Sequence, residues 1–239
     1  MTVIDIRPET FAQATPYDME RLDTMLARER AWHAETPRYM KSGDIEAARQ
    51  RGELMTVHGS LNIQPGRRFT DLSHAYPALL RPETLAIRNE FGRRWRFAMQ
   101  TAGIDRPDIR LAETSYTRSQ AYQNRLVAQP GKLASPDSTH CTGYAVDFDN
   151  AGYFRWEGDR LISVGHPDRE AAQQAFLSSL PENRRFECDY DYDERITDIA
   201  RDVARSLHDI ARINLVEEFQ YTSNAVLHMA VPPHPRTML

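Results

Sequence analysis

The sequence predicts an α+β domain: a small antiparallel sheet flanked by helices, with a helical N-terminal extension. Three observations carry this. Helical periodicity dominates the first hundred residues, strand-like runs are short and begin only at Ile109, and the chain ends on two runs that read as a hairpin. Its 239 residues can bury a full core, in one sizeable domain or a domain with an appendage.

In chain order, residues 17–34 space Met19, Leu22, Met25, Leu26 and Trp32 at close to a 3.6 period behind Thr15-Pro16, which predicts a helix. A second, shorter helix is expected over 45–54, opened by Ser42-Gly43-Asp44. Both read as surface helices packing on the core or on a partner. A long helix should cover 82–102, with Leu85, Ile87, Phe91, Trp95, Phe97 and Met99 as contacts and Gly103 as its C-cap. Residues 109–115 suggest a strand, 120–126 a helix and 128–137 a loop.

Along 144–148 the side chains alternate: Tyr144, Val146 and Phe148 face one way, Ala145 and Asp147 the other. Residues 150–160 suggest a turn or hairpin, and 168–180 a helix ending near Pro181. A strongly amphipathic helix is expected over 194–212, with Ile196, Ile199, Val203, Leu207 and Ile210 on one side. Runs 213–219 and 226–231, joined by 220–225, form the antiparallel hairpin. The organisation expected is a helical extension over 1–80, a main domain over 81–232 and a tail over 233–239.

Composition excludes several classes. Hydrophobic residues at 41% and charged residues at 27% argue against wholesale disorder. A net charge of -4 without a basic stripe argues against a nucleic-acid partner. No apolar run approaches the roughly 18 residues of a membrane span. The first residues lack the basic and apolar regions of a Sec signal peptide. Cys141 and Cys188 can pair or stay free, and neither has a partner at zinc-ribbon spacing.

The chemistry concentrates in Ser138-Thr139-His140-Cys141-Thr142-Gly143-Tyr144-Ala145-Val146-Asp147. Imidazole and carboxylate both ligate metals. A turn at Thr142-Gly143 can fold His140 and Asp147 toward one point, and glycine tolerates the angles such a turn requires. A third ligand candidate is His228, inside the apolar strand Val226-Leu227-His228-Met229-Ala230-Val231, where an imidazole needs a partner. His58, His74, His166, His208 and His234 read as structural or exposed.

This pattern, Ser-x-His-x-x-Gly-x-Ala-x-Asp, resembles the signature of zinc D-Ala-D-Ala carboxypeptidases and dipeptidases, whose fold group includes lysostaphin-like endopeptidases and the hedgehog signalling domain. Upstream, Thr114-Ser115-Tyr116-Thr117-Arg118-Ser119 followed by Tyr122-Gln123 and Leu126 is similar to a second motif of the same enzymes. The resemblance spans roughly 82–231. It implies a Zn2+ ion on His140, Asp147 and His228, an oxyanion stabiliser at Arg118, and peptidoglycan stem peptides as substrate. Ser138 and Tyr144 would orient ligands or contact substrate, Ser115 would contact it, and Gln123 would brace the Arg118 loop or contact it.

The best-known members place a general-base glutamate three residues before the last histidine, where this chain has Ala225. The nearest carboxylates are Glu217 and Glu218. A hairpin centred near Ser223 would pair residue 218 with 228, which favours Glu218, but a one-residue change of register would exchange the two. The displaced base keeps open a non-catalytic zinc-binding module. A non-haem iron oxygenase ranks lower, because its ligands commonly begin as His-x-Asp on one strand. An extracytoplasmic substrate without a visible signal peptide implies a non-Sec route, a processed form or action on cytoplasmic peptides instead; oligomeric state is not legible.

Overall fold

The computed structural model describes residues 22–66, 77–129, 135–211, 213–217 and 226–233. Helices α1 (Leu22–Trp32) and α2 (Ser42–Gln50) come first, followed by strands β1 (Met55–Thr56), β2 (Ile63–Pro65) and β3 (Leu79–Leu80). Then follow α3 (Pro82–Thr101), β4 (Ile109–Ser115), α4 (Gln120–Val127), β5 (Ala145–Glu157) and β6 (Arg160–Gly165). The order ends with α5 (Glu170–Ser179), β7 (Cys188–Asp189), α6 (Glu194–Ala211), β8 (Asn214–Glu217) and β9 (Val226–Ala230). The fold class is the α+β arrangement expected.

Strand β5 organises the sheet. Its first half lies between β4 and β9, both antiparallel to it, and β8 pairs antiparallel outside β9. Its second half pairs with β6, and β7 adds in parallel beyond that. Residues 150–157 therefore continue the strand, where a turn was expected. Tyr153, Phe154 and Trp156 favour extended backbone, and the irregularity is taken up as register shifts against β4 around Glu113. The reversal falls at Gly158-Asp159, with Gly158 at φ 62, the conformation that two-residue hairpins favour.

Residues 55–80 also depart from a purely helical extension. β2 joins the main sheet in parallel with β4, and β1 pairs with β3, so the sheet uses both sides of residue 80. Strands this short, one ending in Pro65, carry almost no periodic signal. Helix α2 starts and ends three to four residues earlier than its pattern suggested. Residues 17–21 of the first expected helix lie outside the described residues.

One face of the sheet makes the core. Val146, Phe148, Leu215, Leu227 and Met229 meet Ile87, Phe91, Trp95 and Met99 of α3 and Ile196, Val203 and Leu207 of α6. Phe91 packs edge-on against Phe148 with ring centres 4.8 Å apart, and Trp95 Nε1 donates to the Ile196 carbonyl. Tyr39, Ile45, Ala48, Leu54 and Leu79 form a smaller cluster that seats α2. No helix among the described residues is long and apolar enough to cross a membrane.

A buried ion pair crosses the core face. Arg88 of α3 donates twice to Glu113 of β4, at 2.7 and 2.8 Å, and Tyr116 Oη donates to the same carboxylate at 2.7 Å. Breaking such a pair strands a charge in low dielectric. Glu113→Ala should therefore lower unfolding free energy by about 3–5 kcal/mol in urea titration; a loss near zero would show that Arg88 finds solvent.

Candidate metal centre

His140 sits on a single 3₁₀ turn, Thr139–Thr142, preceded by Ser138 and ended by Gly143 in the left-handed region at φ 83. A side chain on Gly143 would meet Leu54 Cδ2 at 2.8 Å and Arg81 Cγ at 3.0 Å, so both conformation and space require glycine there. The turn's carbonyls are held from outside. Arg118 N donates to His140 O, Tyr39 N to Cys141 O, Arg81 Nε to Thr142 O, and Thr84 Oγ1 to Gly143 O. The turn that carries the imidazole is thereby held by three separate chain segments, at Tyr39, Arg81–Thr84 and Arg118.

Asp147 lies two residues into β5, directly across from His228 of β9 on one side and Ser115 of β4 on the other. Opposed residues in an antiparallel ladder share a face, and this face is the one turned away from α3 and α6. The three side chains converge as a group that can hold a metal ion, with ligand atoms within 4.8 Å of one another. Asp147 Oδ1 is 2.7 Å from His228 Nδ1 and 3.1 Å from His140 Nε2.

The chemistry of these contacts favours a cation. His140 Nδ1 is 3.0 Å from the Tyr116 carbonyl, which only accepts, so Nδ1 carries the proton and Nε2 presents a lone pair. That Nε2 is buried, makes no hydrogen bond among the described residues, and stands beside a carboxylate oxygen. Two nitrogens and one carboxylate oxygen are a donor set for zinc or a comparable transition metal. Burial pushes His140 down to about 4, so the ring stays neutral and available for ligation. Burial works against charge on Asp147 as well, but the two histidines hold its carboxyl well below the usual range.

Helix α1 closes the other side of the cluster. His228 Nε2 is 3.1 Å from Glu29 Oε1, and Glu29 also accepts from Asn214 Nδ2 at 3.0 Å and from Thr139. Burial lowers His228, but the carboxylates of Glu29 and Asp147 outweigh it and hold the metal-free ring up at about 10. Glu29 was absent from the sequence reading. Its signal was a carboxylate in line with Leu22, Met25 and Leu26 at helical spacing, a charge on an otherwise apolar stripe.

The remaining expected residues divide. Arg118 is half-buried beside His140, and its Nε has no hydrogen-bond partner among the described residues. Ser115 and Ser138 are half-buried near Asp147 and at the turn's start. Gln123, expected to brace the Arg118 loop or contact substrate, and Tyr144, expected to orient ligands or contact substrate, are both engaged within the chain. Gln123 is buried and donates to the Ser135 carbonyl at 2.5 Å, and Tyr144 stacks on His33 at 5.2 Å beneath the Arg81 guanidinium.

Glu217, one of the two candidate bases, lies on the face away from the cluster. The hairpin register pairs His228 with Val216, so Glu217 pairs with Leu227 and turns to the helix face, where Arg205 of α6 holds both its oxygens at 2.9 Å. Glu218 and Ala225 lie outside the described residues. Cys141 is buried and Cys188 half-buried, both as free thiols. No family model, curated protein or solved structure matches the chain.

His33, one helical turn after Glu29, gives a pH signature of α1 docking. Burial pushes it from 6.5 to about 4, Arg38 and Arg81 in the same direction, and only Glu29 and the Val231 backbone oppose them. The unfolded chain therefore takes up this proton first as pH falls. Its contribution is complete above about 6.5 and is lost between about 6.5 and about 4, by up to ~3 kcal/mol. Urea unfolding of wild type and His33→Phe across that window should show the slope difference; parallel curves would contradict a neutral buried His33.

Proposed function

We propose that the chain is a zinc-dependent peptidase acting on peptidoglycan stem peptides, with D-Ala-D-Ala as the first substrate to test. The observation that carries this is the His140–Asp147–His228 cluster, reached by solvent only through Asp147 and His228, whose side chains are 10% and 15% exposed. Its order in the chain and its surrounding motif are those of the zinc peptidases it resembles.

Bound zinc supplies an acidified water and a Lewis acid for the scissile carbonyl. The chain's residues do the rest. Arg118, with a donor free beside the cluster, stabilises the developing oxyanion. Glu218, the residue following β8, accepts a proton from the attacking water and returns it to the leaving amine. With Glu217 held by Arg205 on the other face, Glu218 is the carboxylate left to this role from the hairpin.

One observation favours a second reading, a zinc-binding module without catalysis. Among the described residues, the carboxylates at the cluster are Asp147 and Glu29, and both are committed to histidines. Turnover distinguishes the two.

Zinc-loaded protein incubated with muropeptides should release shortened peptides detectable by mass spectrometry. Glu218→Gln should abolish release while retaining zinc, and Arg118→Ala should lower kcat by about 10²–10³. Intact muropeptides with zinc bound would favour the non-catalytic module. Release that survives Glu218→Gln would remove Glu218 as the base.

A further inference from the structure

Glu29 reaches the cluster from a helix that lies outside both motifs, 199 residues from His228 in sequence. It is buried to 4% exposure, and its carboxylate touches three elements of the centre at once. Asn214 belongs to β8, Thr139 precedes the ligand His140, and His228 is itself a ligand. Helix α1 packs on β8 over this face of the sheet.

The two nitrogens of His228 face different carboxylates. Nδ1 points to Asp147 at 2.7 Å, the oxygen that His140 Nε2 also approaches, and Nε2 points to Glu29. Imidazole nitrogens diverge from one another around the ring, so a group bound to Nε2 sits away from whatever Nδ1 holds. A ligating histidine commonly donates its other N–H to a carboxylate, which selects the tautomer and makes the ligating nitrogen a better donor. Asn214 Nδ2 and Thr139 leave the Glu29 oxygens little freedom to turn elsewhere.

We propose that Glu29 is a positioning residue of the metal centre, accepting the Nε2–H of His228 so that Nδ1 is the nitrogen offered to the ion. Helix α1 is then a component of the centre and not a cover laid over it. The same geometry separates Glu29 from the general base, since its carboxylate is on the far edge of the ring from Asp147. This role rests on the metal site at His140, Asp147 and His228 and not on peptidase activity.

The test is Zn2+ affinity by chelator competition on wild type, E29Q, E29A and H140A, with thermal unfolding of each metal-free protein. E29Q keeps size and a hydrogen-bond acceptor but loses the charge. It should bind zinc about tenfold more weakly, and E29A up to about a hundredfold. If E29A fails to fold, the isosteric E29Q carries the result. In ¹⁵N-histidine spectra of the zinc-loaded wild type, His228 should show a protonated Nε2 whose resonance moves in E29Q, a change that a purely packing role would not produce.

E29Q binding within about twofold of wild type, with that resonance unmoved, would overturn the role of Glu29 while leaving the metal site standing. Wild type binding zinc no better than H140A would instead overturn the metal site, and the proposal with it.

Discussion

Asp147 places a carboxylate oxygen between two imidazole nitrogens on the face of the sheet turned away from the main core. Three ionisable groups gathered out of water are costly unless each is compensated. Much of the surrounding structure answers that constraint. The Tyr116 carbonyl takes the His140 proton, Glu29 takes the outer edge of His228, and the turn carrying His140 is tied down through its own carbonyls. What these contacts leave unanswered is the inward Nε2 of His140, the position a cation would satisfy.

The two faces of the sheet keep structural and chemical work apart. Glu113 with Arg88, and Glu217 with Arg205, are neutralised on the side of α3 and α6. Glu29 and Asp147 both face the single charged ring of His228 on the side of α1. The networks meet through Tyr116, whose hydroxyl is fixed by Glu113 and whose carbonyl is fixed on His140. The core ion pair thus helps to set the position of an imidazole it never touches.

What was legible in the sequence was mostly local. His140 and Asp147 are seven residues apart around a glycine turn, and α3 and α6 carry long helical stripes. His228 could be placed because an imidazole stood out in an apolar strand. Glu29 could not, because its contacts are made by the packing of α1 across β8, a relation that no spacing encodes. Strands β1, β2 and β3, at two or three residues, are set by their partners and not by alternation. The hairpin register was not readable: His228 pairs with Val216 and not with residue 218, a shift of two that leaves Glu217 on the helix side, where the expected pairing also put it.

The most direct measurement of the central claim is a crystal structure of the zinc-loaded protein with diffraction recorded on both sides of the zinc absorption edge. An anomalous peak within about 2.0–2.2 Å of His140 Nε2, an Asp147 oxygen and His228 Nδ1 is the expected result. A peak held by other residues, or none at this cluster in zinc-saturated crystals, would contradict it.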